Sequence, residues 1–386
     1  MPRGSWLGFV ASIVLAAPVA GQELGTLPAF PALSPPAPGA GVPPHGGGAA
    51  PHGGGAGHGE SPLKDLTPPG FADLIPPPDP HHAHGEVPGH LAPLAPGHAG
   101  FYTSAEYLLL RPRSGSFDYA LLNATAGSLG TIGPIESLRY SRGNGLRVEG
   151  GYRFKAGWDV GVAYTYLNAI GSDFVNAGPG QIIFPTTTRP GLTDTATSAS
   201  AKASTNYNLY DLVVGKRWVV DDHFAVRAFA GFRFADFGQR FDVLYDGADA
   251  RRAAVNMRSG FDGFGPLIGG EAVLGGWHGW HGYARANGGL LSGRSTNSLL
   301  ETNNAGGTTY VDTQYDVRQV VPVAGIAIGG GWQYRSFSVR AGYEVTHWFG
   351  LTQPVRFVDD VGQGKLVTRP SNYSLEGFFF QLGFAF

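Results

Sequence analysis

The sequence predicts an all-β protein, an antiparallel up-and-down barrel of about ten strands that crosses a membrane, preceded by a disordered N-terminal segment. Three observations predict it. From Gly100 onward, apolar residues recur at every second position in ten segments. The connections between those segments alternate strictly between short and long. Aromatic residues gather at the short ones.

Before the barrel come two stretches of different composition. "MPRGSWLGFVASIVLAAPVAGQ" has one early positive charge, Arg3, then an apolar run from Trp6 to Ala17 and then small residues. That order predicts a cleaved secretory signal over 1–21. The run falls short of the ~20 residues that a membrane-crossing helix needs. Residues 22–99 are rich in Pro, Gly and His and nearly free of aromatics, so they predict a disordered periplasmic linker. Eight of the twelve histidines lie there, among them His81, His82 and His84 of "HHAH". No carboxylate pattern accompanies them to fix a coordination geometry, so a solvated linker is preferred to a metal tract.

The segments of 100–386 follow in order. "FYTSAEYLLLR" at 101–111 sets Ala105, Tyr107 and Leu109 against Ser104 and Glu106. Successive side chains of a strand point to opposite faces, so each such row is one wall surface. Segment 145–154 sets Leu146, Val148 and Tyr152 against Arg147, Glu149 and Arg153. Segment 158–167 sets Trp158, Val160, Val162, Tyr164 and Tyr166 against Asp159 and Thr165. In 207–219, Tyr210, Leu212, Val214 and Trp218 oppose Asp211 and Arg217, with Lys216 interrupting the apolar row. Segment 223–235 sets Phe224, Val226, Phe232 and Phe234 against Arg227 and Arg233.

Two glycine-rich segments, near 261–275 and 280–293, place Glu271 and Arg285 on the polar side. Near 318–333, Ala324, Ile326, Ile328 and Trp332 share a face. Segment 337–348 sets Phe337, Val339, Ala341, Tyr343 and Val345 against Arg340 and Glu344. The chain ends on "SLEGFFFQLGFAF", where Phe378, Phe380, Leu382, Phe384 and Phe386 form an unbroken row.

Alternation alone also suits a soluble sandwich. The connections decide between them. Short ones fall at 155–157, 221–222, 275–279 and 334–336, and long ones at 112–144, 168–206, 236–260, 294–317 and 349–373. Short turns at one end and long loops at the other are the pattern of an outer membrane barrel, and an even strand count closes it without a free edge. Trp158, Trp218, Trp277, Trp280 and Trp332 lie at the short turns, with Phe337 beside them. Rings part apolar and part polar suit the membrane interface, so these residues are the expected aromatic girdle.

The stretches "NLYDLVVGKRW", "FAVRAFAGFRFADFGQRF", "FDGFGPLIGGEAVL" and "FSVRAGYEVTHWFGLTQ" resemble the major-outer-membrane-protein-like, pore-forming family of bacterial barrels. The first strand is also similar, and the likeness spans most of 100–386. It implies passive pore formation in the outer membrane. In barrels generally a terminal row ending in Phe looks like the signal read by the assembly machinery, which assigns Phe378 to Phe386 that part.

With each polar face taken as the lumen, the interior carries Arg147, Arg153, Arg217, Arg227, Arg233, Arg285 and Arg340 against Glu106, Glu149, Asp159, Asp211, Glu271 and Glu344. Such charges are costly in lipid and comfortable beside water or each other. They predict a hydrophilic channel for small solutes or ions; the alternative is a braced, non-conducting barrel that binds through its outer loops. Ten strands leave a narrow bore, so two further strands hidden in a loop, or a homo-oligomer, stay open as sources of width. A barrel enzyme would need an activated His or Ser, and only His347 lies near the long-loop end. "GFGPLIGG" lacks the strand–loop–helix setting of a nucleotide cradle, and a formal charge of −2 gives no basic surface for nucleic acid. No cofactor and no metal are expected. Outer membrane lipid is the expected surrounding.

Overall fold

The computed structural model describes residues 99–115, 117–123, 132–275, 277–352, 355–357, 366–368 and 371–386. The expected signal sequence and nearly all of the expected linker lie outside the described residues. Among the described residues fifteen strands follow one another: β1 (Gly100–Ser114), β2 (Asp118–Asn123), β3 (Ile135–Ser137), β4 (Gly143–Arg153), β5 (Trp158–Asn176), β6 (Ile182–Pro185), β7 (Ser198–Val219), β8 (Phe224–Gly247), β9 (Ala250–Gly275), β10 (Trp280–Asn303), β11 (Thr308–Tyr334), β12 (Phe337–Thr352), β13 (Val355–Phe357), β14 (Leu366–Thr368) and β15 (Ser371–Ala385). Ten of them close into one antiparallel barrel in the order β1-β15-β12-β11-β10-β9-β8-β7-β5-β4.

Closure is made by β1 pairing with β15, from Tyr102 opposite Ala385 to Ser114 opposite Tyr373. Every barrel strand thereby finds two partners, which removes the open edges that lipid would not satisfy. The short turns are tight. Gly157 holds φ at +78°, a left-handed value that costs an L side chain energy, and its N–H donates to Phe154 O at 3.0 Å.

The outward faces are apolar from the short turns to a level about ten residues along, then polar. On β8 the apolar row ends at Phe234 and Asp236 follows; on β9 the corresponding residues are Phe264 and Asp262; on β7, Tyr210 and Asn208. Phe224 to Phe234 matches the ~9–11 residues with which a tilted strand crosses the hydrocarbon. The terminal row points outward, with Phe386 78% exposed, while Phe379 between its members turns in and is 4% exposed.

Two of the expected long loops are strands instead. Residues 236–260 and 294–317 continue β8 into β9 and β10 into β11 as tall hairpins, with Gly247 opposite Ala250 and Asn303 opposite Thr308 at the tips. The reason lies in the pattern. Above Asp236 the alternation changes hands: Gly238, Arg240 and Asp242 face out, while Phe237, Phe241 and Val243 face in. Water has replaced lipid outside, so the wall there follows the rule of a soluble sheet. A row followed along one face ends where the apolar residues cross to the other.

Around these tall strands a smaller sheet, β3-β2-β6, packs into the long end. Its core joins Phe117, Tyr119 and Ile183 to Phe241, Tyr245 and Leu299 of the barrel strands. The Tyr245 hydroxyl donates to Tyr119 O and lies 2.8 Å from Thr187 Oγ1.

Candidate functional site

The barrel interior divides into two layers, both set by strand parity. Toward the short turns the inward residues are charged. Arg147 on β4 donates from Nη1 to Glu106 Oε2 of β1 at 2.5 Å and, by both terminal nitrogens, to Glu344 of β12 at 2.9 and 3.0 Å. Arg285 on β10 reaches the same two carboxylates at 3.6 and 3.5 Å. Gln381 Nε2 adds a bond to Glu106 Oε1 at 2.8 Å. Four strands are thus tied across the bore by two cations and two anions.

The other charges pair in the same way. Arg233 grips Asp211 through two bonds of 2.7 Å. Arg227 grips Asp159 through Nε and Nη2, and Arg340 Nη1 lies 3.3 Å from Glu271 Oε1. A two-toothed guanidinium–carboxylate bond holds both planes in one orientation, which a Lys could not do. Arg153, Arg217 and Glu149 line the same space beside them, around a cavity of about 210 Å³. Backbone approach is part of the design: a Cβ on Gly151 or Gly161 would run into the Tyr102 side chain, which enters the cavity from β1.

Toward the tall end the inward residues become apolar, and here rings from opposite walls meet. Phe237 of β8 and Tyr373 of β15 contact edge to face at 4.8 Å. Tyr207 of β7 and Trp348 of β12 do the same at 5.7 Å. In the barrel order β8 and β15 lie five places apart, as do β7 and β12, so each contact crosses the full bore. The Tyr373 hydroxyl donates to Thr205 Oγ1 of β7 at 3.1 Å. Leu108, Leu110, Leu291, Val321 and Phe261 fill the layer between them, and Trp348 and Tyr373 are fully buried.

All twelve expected lumen charges, with Glu106, therefore face the interior, but most of them face each other. Among the residues that the sequence did not single out are the aromatic ones of the apolar layer. Trp348 and Phe379 lie on inward positions by simple parity, yet their apolar character hides that among outward apolar neighbours.

At the short turns Trp158, Trp218 and Trp280 stand outward, and Trp332 stacks on Tyr334 at 5.8 Å while its Nε1 donates to His278 O at 3.1 Å. Phe337 packs on Phe384 at 5.2 Å. The Trp277 side chain lies outside the described residues. Lys216, the interruption in its row, bends to the turn, where Nζ donates to Ala156 O at 2.5 Å and lies 5.2 Å from the Trp158 ring centre. That snorkelling keeps its charge out of the hydrocarbon. A second set of rings marks the other boundary: the Tyr107 hydroxyl donates to Asn144 at 2.6 Å and that of Tyr164 to Asn208 at 2.9 Å. His347 Nδ1 lies 2.6 Å from Ser374 Oγ and its ring 4.4 Å from Phe349, with no carboxylate among its described contacts.

Above the membrane level Glu301 is fully buried on the inward face of β10. Arg189 N–H donates to its Oε2 at 2.8 Å, while its Oε1 is buried without a partner. Burial pushes the carboxyl up to about 7. It lies in a stretch read from sequence as a loop, where an inward position has no meaning.

Several solved outer membrane proteins align with this chain at low similarity. The outer membrane protease OmpT of Escherichia coli aligns at 10% identity over 74% of this chain and 97% of its own, with a TM-score of 0.43. Ail of Yersinia pestis aligns at 9% identity over 75% and 99%, with a TM-score of 0.24. The toluene transporter TodX of Pseudomonas putida aligns at 8% identity over 78% and 93%, with a TM-score of 0.17. No curated protein sequence matches the chain. A family model described as the Legionella pneumophila major outer membrane protein precursor matches residues 96–386, the whole of the barrel. The chain belongs to that family and is an outer membrane β-barrel protein.

Proposed function

We propose that this protein is a closed outer membrane barrel that acts by binding at the cell surface through its tall end, and that it neither conducts solutes at rest nor catalyses a reaction. In this reading the short turns face the periplasm and the tall hairpins face outside. The observation that carries it is the meeting of Phe237 with Tyr373 and of Tyr207 with Trp348 across the bore. A bore crossed by ring contacts has no column of water for an ion to follow, and the paired charges below order no free path either. Support for a surface role comes from the packed layer of β2, β3 and β6 on the tall strands, a built surface of the kind on which binding residues sit.

The test is single-channel recording in a planar bilayer, with the refolded chain first verified by a heat-modifiable band. Silence is expected from the native chain. Discrete conductance steps would return the pore reading, for a single chain or for an oligomer according to their size.

A further inference from the structure

We propose that the short-turn half of the barrel interior is a binding site for a small anion, held against Arg217. The inference goes beyond the closed-barrel reading, because a site of this kind is compatible with a sealed or an open bore.

Among the described residues, charge pairing on the short-turn side leaves Arg217 without a hydrogen-bonded carboxylate. Arg217 of β7 stands directly opposite Arg227 of β8, a cross-strand pair of like sign. Such neighbours repel unless an anion lies between or beside them. The nearest carboxylate on the adjoining strand, Asp159, has both oxygens committed to Arg227. Glu271, opposite Arg227 on the other side, is engaged by Arg340. Arg217 Nη1 is left buried with no hydrogen-bond partner. Glu271 and Asp159 attract the Arg217 guanidinium without a hydrogen bond to it, and both are also claimed by Arg340 and Arg227, so this desolvated charge is met only in part, a costly arrangement that water at the donor would not relieve.

Two further buried donors without partners face the same cavity, Arg340 Nε and the Tyr102 hydroxyl. Glu149 is the carboxylate that opposes the proposal, since it lines the cavity too. Counting it, the four arginines Arg153, Arg217, Arg227 and Arg340 still exceed the three acids Glu149, Asp159 and Glu271 by one. The cavity, about 210 Å³, reaches Ser336 and Ala385 at the short-turn end, so an anion has a way in that does not cross the aromatic layer. A small oxyanion fits the chemistry: it accepts from several N–H and O–H donors at once and brings the charge that the arginines lack.

The experiment is calorimetric titration of the refolded chain in detergent with sodium sulfate, at constant ionic strength set by a bulky sulfonate salt. Saturable uptake near one ion per chain is expected, at least about tenfold weaker in Arg217→Gln and less strongly weakened in Tyr102→Phe. Arg113→Gln, at the other end of the barrel, should leave it unchanged. No saturable uptake, or equal affinity in Arg217→Gln, overturns the site. If Arg217→Gln fails to give a heat-modifiable band, unchanged affinity in Tyr102→Phe overturns it instead. Binding together with conductance would keep the site and discard the closed barrel; silence without binding would do the reverse.

Discussion

The two halves of the interior solve one problem by opposite means. Both must fill the space inside ten strands, and both use every second residue to do so. The short-turn half fills it with paired charges, Arg147 with Glu106 and Glu344, and Arg233 with Asp211. The tall half fills it with rings, Phe237 on Tyr373 and Tyr207 on Trp348. The difference follows from the surroundings. Where lipid covers the outside, the apolar residues are spent outward and polarity is left for the interior. Where water covers it, the apolar residues turn in and build a core. One strand, β8, carries both arrangements, and the change falls between Phe234 and Phe237.

The aromatic layer should yield most when broken. Phe237→Ala combined with Trp348→Ala removes one ring from each cross-bore contact, and each truncation should cost about 3–5 kcal/mol in urea unfolding of the folded band. The same double variant should conduct where the native chain is silent. Loss of stability without any conductance would mean that the ion pairs seal the bore by themselves.

The ionic layer should respond nearly as strongly to a smaller chemical change. Glu344→Ala leaves Arg147 and Arg285 buried beside one carboxylate instead of two, for an expected cost of roughly 3–5 kcal/mol. Glu344→Gln should recover part of it by accepting a bond from Arg147. Unfolding within about 1 kcal/mol of the native chain would indicate that water enters this half freely, as in an open channel.

Glu301 separates the halves by pH. Its folded carboxyl titrates near 7 and its unfolded one near the ordinary 4.5. Its protonated form therefore favours the folded state, and that contribution is whole below pH 4.5 and lost as pH rises to about 7. Glu301→Gln should remove this dependence and exceed the native stability at pH 8 by about 1–3 kcal/mol. Hydrogen exchange of the tall hairpins between pH 5 and 8 is the measurement; equal pH profiles in the two chains would refute the buried charge. The mildest change lies at the membrane boundary. Tyr107→Phe deletes the bond to Asn144 at the lipid-facing surface, for an expected ~0.5–1.5 kcal/mol.

Much of this was legible beforehand, and the limits are instructive. Arg227 and Arg233 stand out at alternate positions among Val226, Ala228, Phe232 and Phe234, so the ionic half could be read strand by strand. Phe237 could not, because the row it belongs to begins where the outward row ends. Glu301 was hidden for the same reason. Even with its face known, the partner of a side chain stayed unreadable: nothing in 237 or 373 links the two.

The amino-acid order alone thus specifies ten strands, the outward lipid surface and the inward charge, since each depends only on a period of two and on the spacing of turns. Which inward side chains touch depends on closure. Strands far apart in the chain come face to face only once β1 pairs with β15, and the width of the resulting ring sets whether a guanidinium reaches a carboxylate or two rings meet across the axis. That distance belongs to the whole barrel and to no single strand.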